Sequence, residues 1–304
     1  MTDTSQTRLA YIPEVTYGVT PATPTFKNLR ITGEGFTPSI QYVSSNEIRA
    51  DRNISDMTRV GQDAAGEINF ELSYGTFDDM LEGLMFNTWT SNVLKNGVAQ
   101  KSFTFEKTFA AASNQFHRFP GSVVNTMSLS MQAKQIVTGS FGILSKTATS
   151  AQAILSGATY TAVNANPVIN AANNFASLAV TGGGTVELMS LSLNMTNNLE
   201  QQPVLGSVAS KGIRAGQFVV TGQMEAYFAS QELFELYLAD TATDLTFSLG
   251  GTSSLKYTFF VPKIKMTSVD IKAGGNNQDV MATISFQAYF DATTAASMRI
   301  TRTP

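Results

Sequence analysis

The sequence predicts a mainly β protein built from one unit used twice, with one short helix flanking each copy. Three observations predict it. Apolar residues alternate with polar ones at period two over many short stretches. Each half holds a single stretch with the helical i, i+3, i+4 stripe. The same ordered series of strand, long loop, strand, helix, strand and hairpin occurs in both halves.

Residues 1–27 carry Pro13, Pro21 and Pro24 among several Thr. Proline fixes φ and disfavours helix in the residue before it, so this stretch reads as an extended N-terminal arm, frayed or packed on a neighbouring subunit. Leu29, Ile31 and Gly33 open the first strand. Ile68, Phe70 and Leu72 alternate with Glu67, Asn69 and Glu71 in the next. Phe77, Met80, Leu81, Leu84 and Met85 form the helical stripe. Phe103 and Phe105 start another strand. Met127, Leu129 and Met131, then Val137, Gly139, Phe141 and Ile143, complete a hairpin.

The second half follows suit. Met189, Leu191 and Leu193 match the Leu29 strand, and GQMEAYF at 222–228 matches GEINFEL at 66–72. Leu233, Phe234, Tyr237 and Leu238 repeat the helix; Tyr257 and Phe259 repeat Phe103 and Phe105. Val269 and Ile271 align with Leu129 and Met131. Val280, Ala282, Ile284 and Phe286 align with Val137, Gly139, Phe141 and Ile143. The units are thus expected at 28–146 and 187–290, with a C-terminal arm at 291–304. Residues 147–186 contain no charged residue and are too long for a tight connection, so they read as an interdomain linker with a strand near 176–180.

Each unit also has a long loop after its first strand. The first, 41–60, places Glu47, Arg49, Asp51, Arg52, Asp56 and Arg59 within thirteen residues; the second, 199–215, holds Glu200, Lys211 and Arg214. Only 14% of the chain is charged, against roughly 25% for an average globular protein, so this clustering stands out. Complementary charges at a rim set register and specificity. These residues, Glu47 to Arg59 with Lys211 and Arg214, are the candidate inter-subunit or inter-ring contacts.

The 304 residues fit two domains or one large all-β domain. Thr (36) and Ser (28) fill the place of charges, and the net charge is -3. That balance opposes a dedicated nucleic-acid or membrane-surface binder, which needs excess Lys and Arg. With no cysteine, thiolate metal sites, disulfides and Cys catalysis are excluded. No basic-then-apolar leader and no 18-residue apolar run appear, so no signal peptide or membrane anchor is expected.

Catalytic patterns are missing. The single histidine, His117, has no acid near it in sequence to orient a triad. Asp78, Asp79 and Glu82 lie at the start of the first helix, where carboxylates favour the dipole. The glycines at 182–184 lack phosphate-loop spacing. No catalytic, metal-binding or cofactor-binding residue is expected, and no cofactor.

The stretches YGVTPATPTFKNLRITGEGF (17–36) and SSNEIRADRNISDMTRVGQDAAGEINFELSYGTFDDMLEGL (44–84) resemble the major tail tube proteins of long-tailed, siphovirus-type bacteriophages, in their large form of about 300 residues. The resemblance continues more weakly through NNLEQQPVLG (197–206) and KGIRAGQFVVTGQMEAYF (211–228). It implies a duplicated tail-tube β-sandwich or barrel domain whose inner sheet joins its neighbours into a continuous barrel. It also implies stacked rings, with a long loop and terminal arms bridging them. The partners implied are further copies of the chain, the tape-measure, tail tip and tail terminator proteins, and phage DNA passing through the lumen without specific binding. The place implied is the virion tail, assembled in the host bacterial cytoplasm.

Two domains per chain would close a pseudo-sixfold ring from three chains; a homohexamer is the alternative. If six domains each give four inner strands, 24 strands spaced ~4.8 Å and tilted about 40° need a circumference of roughly 150 Å. That leaves a lumen of about 38 Å once side chains are subtracted, wide enough for a DNA duplex. A weakly acidic wall rich in Ser and Thr would let DNA slide, where a basic one would grip it. Two other classes compete. A carbohydrate-binding or adhesin-like β-sandwich predicts a monomer with an exposed aromatic platform. A glycosidase predicts paired carboxylates facing one cleft.

Overall fold

A computed structural model describes residues 6–110, 115–184 and 186–304. Residues 1–5 of the expected arm lie outside the described residues. Repeat 1 runs through β1 (Thr7–Pro13), β2 (Thr25–Asn28), β3 (Gly33–Glu34), β4 (Thr37–Ser44), β5 (Met57–Glu71), α1 (Asp78–Met85), β6 (Val93–Lys95), β7 (Phe103–Phe109), β8 (Gln115–Gln132) and β9 (Thr138–Ser145). The connecting segment adds β10 (Thr149–Ala151), β11 (Thr159–Thr161) and β12 (Phe175–Val180). Repeat 2 comprises β13 (Leu188–Thr196), β14 (Glu200–Gln202), β15 (Gly212–Arg214), β16 (Val219–Tyr227), α2 (Glu232–Leu238), β17 (Thr243–Gly250), β18 (Lys256–Lys272) and β19 (Met281–Ala288), followed by β20 (Arg299–Thr303). The fold is mainly β, as the alternation predicts.

One ladder crosses the chain. Repeat 1 contributes β4–β5–β9–β8 and repeat 2 contributes β13–β16–β19–β18, all antiparallel. β8 and β13 join them through seven residue pairs, from Ser190–Gln132 to Thr196–Thr126. The two halves share one register. Gly66 faces Ile143 as Gly222 faces Phe286. A bulge between Val124 and Thr126 recurs between Met266 and Ser268. An extra residue bends a strand and raises its twist. Here it lets β8 and β18 serve two sheets. Their first halves pair with β7 and β17, and their second halves lie in the ladder.

The registers correct three sequence alignments. Phe105 faces Phe119 as Leu245 faces Val261, so Phe103 and Phe105 match Thr243 and Leu245, and Tyr257 and Phe259 stand in the counterpart of β8. Gly33 faces Asn69 as Ser190 faces Glu225, so the Met189 strand matches the stretch from Gly33 on and not the one at Leu29, which is not a strand. Met127 faces Phe141 and Val269 faces Ile284, so Val269 matches Met127 and Ile271 matches Leu129. A slip of two residues leaves every side chain on its own face, so alternation alone does not detect it.

The ladder has one covered face and one open face. Ile68, Phe70, Met127, Leu129, Phe141, Leu191, Leu193, Met224, Ile284 and Phe286 are buried beneath the second layer in one continuous core. That layer includes β1 and β7 over repeat 1, and β17 and β20 over repeat 2. Helix α1 packs fully, burying Met80, Leu81, Leu84 and Met85. Helix α2 sits loosely, with no residue buried. Of its expected stripe, Leu233 and Tyr237 reach the core together with Leu236, whereas Phe234 and Leu238 are exposed.

The segments expected as arms and linker are built into the fold. β1 pairs with β7 along its whole length and buries Leu9, Ala10 and Tyr11. β20 lies between β18 and β6, bonding repeat 2 to repeat 1. The uncharged segment runs as a strap over both outer sheets, with β10 on β8, β11 parallel to β2, and β12, the strand expected near 176–180, on β17. Its amides and the charges of repeat 1 tie it down: Asn164 and Asn166 Nδ2 both donate to Tyr74 O, Arg30 Nη1 donates to Asn166 O at 2.5 Å, and Arg118 Nη2 donates to Ala153 O at 2.8 Å.

Two charged knots hold the layers. Glu106 is fully buried; it accepts from Arg118 Nε at 2.8 Å and Tyr160 Oη at 2.5 Å. Asp78 ties α1 to repeat 2, accepting from Tyr257 Oη at 2.5 Å and Arg302 Nη1 at 2.5 Å. Arg302 also lies over the Trp89 ring, 4.7 Å from its centroid.

Candidate assembly surfaces

The ladder ends in two unpaired edges, and both belong to strands with a partnered counterpart inside the chain. β4 pairs only with β5, and all eight of its residues are exposed. At the far end, the second half of β18 pairs with β19 and leaves its other side open. By register β4 is the repeat-1 counterpart of β13, and this half of β18 is the counterpart of β8. An open edge offers a row of free N–H and C=O groups to another strand. The chain therefore carries, at opposite ends, the two halves of a join it already makes once internally.

The open face of the ladder is polar because side chains alternate across each strand. Thr126, Ser128 and Ser130 of β8 lie beside Ser192, Asn194 and Thr196 of β13. Ser128 Oγ and Ser140 Oγ hydrogen-bond across strands at 2.9 Å. Among the described residues of this face, Glu67, Glu71, Glu225 and Asp270 stand against Lys265 and Lys272, four negative charges to two positive. Asp63, at the rim, accepts from Ser210 Oγ at 2.8 Å.

The charged loop of repeat 1 is a hairpin. β4 and β5 stay paired out to Ser44–Met57, well past the last β5–β9 pair at Ala64–Ser145. Glu47, Arg49, Asp51, Arg52, Asp56 and Arg59 are all exposed on it. Arg49 grips Asp51 through two bonds of 2.9 and 2.7 Å. These bonds, then those from Asn53, hold the Asp51 carboxyl well below the usual carboxylate range. Asp56 accepts from Met57 N at 2.7 Å and Thr58 Oγ1 at 3.0 Å, closing the turn. Arg59 bonds Gln62.

Lys211 and Arg214 sit on the β14–β15 hairpin of repeat 2, where Arg214 pairs with Glu200. That hairpin crosses to repeat 1: Gln62 N donates to Val208 O at 2.7 Å. The structure thus brings the two hairpins together through backbone and Ser210. Among the described residues, no ion pair links their two charged sets. Composition hid the apolar character of the first hairpin, where Tyr42, Val43, Ile48, Ile54 and Met57 are exposed. These residues are scattered among the charges without a period, and no sequence signal marks an apolar side chain as uncovered.

The residues weighed for catalysis have structural partners. His117 stacks edge-on against Phe109 at 5.3 Å. Asp79 accepts from Tyr11 Oη at 2.9 Å and Lys27 Nζ at 2.5 Å, and Glu82 accepts from Lys101 and Trp89 N. Among the described residues, no group of three or more His, Asp or Glu is placed to hold a metal ion. No helix among them is long and apolar enough to cross a membrane.

A family model described as phage tail tube protein matches residues 4–288, nearly the whole chain. No curated protein matches the chain significantly.

Proposed function

The chain belongs to the phage tail tube protein family, a structural component of the virion tail, and we propose that three copies close into one ring of the tube. The observation that carries this is the β8–β13 join, with its two unpaired counterparts at the ends of the same ladder. Pairing β18 of one copy with β4 of the next repeats that join. Three ladders of eight strands give 3 × 8 = 24 strands. No edge then remains open, which removes the hazard of an exposed eight-residue edge strand.

The internal join also sets the register of the seam. Thr126 faces Thr196, which corresponds to Ser268 facing Ser39 of the next copy. Met127 facing Met195 corresponds to Val269 facing Pro38. A cysteine pair at Ser268 and Ser39 tests it, since the chain has no cysteine of its own. Oxidation of the assembled protein should link chains into covalent trimers. Unlinked chains in assembled particles would refute the seam.

In such a ring the covered face points outward and the open polar face lines the lumen. Its four carboxylates and two lysines per chain give 3 × (-4 + 2) = -6 per ring among the described residues. Phosphates would find little to release counterions against, so DNA would pass during ejection without being held. The hairpin 41–60 extends beyond the ring wall, where Glu47, Arg49, Asp51, Arg52, Asp56 and Arg59 would meet the next ring, with Lys211 and Arg214 nearby. Stacking would proceed around a tape-measure protein, between tip and terminator proteins. This is the siphovirus-type arrangement that the sequence resemblance implies.

A further inference from the structure

Inside the chain, a small apolar cluster shows how repeat 1 receives a hairpin. Ile213 of the second hairpin packs with Phe86 and Val123, and Leu144 and Leu199 close over them. Gln201 Nε2 donates to Ser145 O at 3.2 Å, and Leu199 N donates to Asn125 Oδ1 at 2.9 Å. The second hairpin therefore lies across the β8–β13 join, on the end of the preceding repeat. Ile213 is only 6% exposed there.

The first hairpin has the same register. Ser44 faces Met57 as Gln201 faces Ile213, and Val43 faces Thr58 as Glu200 faces Arg214. Met57 thus stands where Ile213 stands, and Tyr42 where Leu199 stands. Yet Met57 is 58% exposed and Tyr42 52%. A receiving surface exists at the other end of the ladder. Val123 faces Leu144 as Lys265 faces Gln287, so those two residues mark the equivalent seat on repeat 2. Beside it Tyr289 and Phe290 are exposed. An apolar hairpin without a seat and an aromatic ledge without a cover occupy equivalent places at opposite ends of one sheet. Exposed apolar surface of this kind marks a contact site.

We infer that the first hairpin is a clasp within the ring, seated on repeat 2 of the adjoining copy. Met57 and Tyr42 pack there against the Lys265 stem, Gln287 and Tyr289. The occupant is a second copy of this chain, because the seat repeats an interface the chain already makes with itself. The same chain cannot fill it: β4 and β18 are separated by seven strand spacings, about 34 Å at ~4.8 Å each. The inference rests on the ring reading. It leaves the charged tip free to meet the next ring while the apolar base holds the neighbour.

The test uses two cysteine pairs in the full chain, Met57→Cys with Lys265→Cys and Tyr42→Cys with Gln287→Cys. The second puts cysteines where Leu199 and Leu144 stand in the internal cluster. Assembled protein is treated with a short bis-maleimide and run on a denaturing gel, beside the Ser39 and Ser268 seam pair. The expected result is conversion of most chains to covalent multimers that stop at three. Seam links without hairpin links in either pair would overturn the clasp and leave the ring standing. Loss of both kinds of link would bring down the ring reading and the clasp together. Hairpin links without seam links, or products larger than three chains, would also overturn it, since the hairpin would then reach another copy by a different route.

Discussion

Removing the Glu106 carboxylate should cost this fold more than any surface charge change. Glu106 is 0% exposed and Arg118 9%, and Arg118 Nε meets the carboxylate at 2.8 Å. Tyr160 Oη donates to the other oxygen at 2.5 Å, and Arg8 lies 3.8 Å away. Glu106→Ala leaves a buried guanidinium with no counter-ion and a tyrosine hydroxyl with no acceptor. Breaking a buried pair in this way costs about 3–5 kcal/mol. At roughly 2–4 °C per kcal/mol, the thermal transition should fall by on the order of 10 °C. Scanning calorimetry at fixed scan rate and protein concentration reads this directly. A double variant, Glu106→Leu with Arg118→Met, removes both charges and should recover most of the loss, because the penalty lies in the stranded partner. A single variant within about 1 kcal/mol of the parent, or a double variant no better than the single, would refute the reasoning.

Three further outcomes are expected. Gly222→Ala should destabilise by about 1–3 kcal/mol in denaturant titration, because a Cβ there meets Ser192 O at 2.7 Å and the Phe286 ring. A neutral result would mean the sheet relaxes around it. Stability should fall as pH rises from about 10 to 12. Burial first, aided by Glu14 for Tyr17 and by Glu106 for Tyr160, raises both phenols to about 12, while the unfolded chain releases those protons near 10. The folded state binds more protons over that window, so rising pH favours unfolding; a flat stability profile there would count against it. Reversing Arg49, Arg52 and Arg59 to Glu should shorten tubes seen by electron microscopy more than it lowers the yield of rings. Tubes of unchanged length would remove these residues from the stacking contact.

Much of this architecture can be read from the residues, and the gaps have physical causes. Alternation marks the ladder strands because one face is buried and the other wet, as with Ile68 and Phe70 against Glu67 and Asn69. The order of signals recurs in the two halves of the sequence, and a bulge recurs in the ladder at Val124–Thr126 and Met266–Ser268. Long-range pairing is where local pattern stops. Nothing local tells that Thr7–Pro13, bounded by proline-rich sequence, finds its partner a hundred residues away in β7. The uncharged segment reads as a linker because charge-free, Asn-rich sequence resembles loop, yet its amides hydrogen-bond repeat 1 at half-buried positions. Charge drew attention to Arg49 and Arg59. The apolar surface of Tyr42 and Met57 beside them carries no such mark, since an apolar residue reads the same covered or uncovered.

The central claim is that two repeats per chain make a ring from three chains. Light scattering of purified rings, coupled to electron microscopy of the same fractions, measures this most directly. The account predicts a particle mass near three chains of 32.6 kDa each, with a central hole and pseudo-sixfold outline. A ring of six chains would contradict it, because the second repeat would then sit outside the wall and the β8–β13 join would not be part of the barrel.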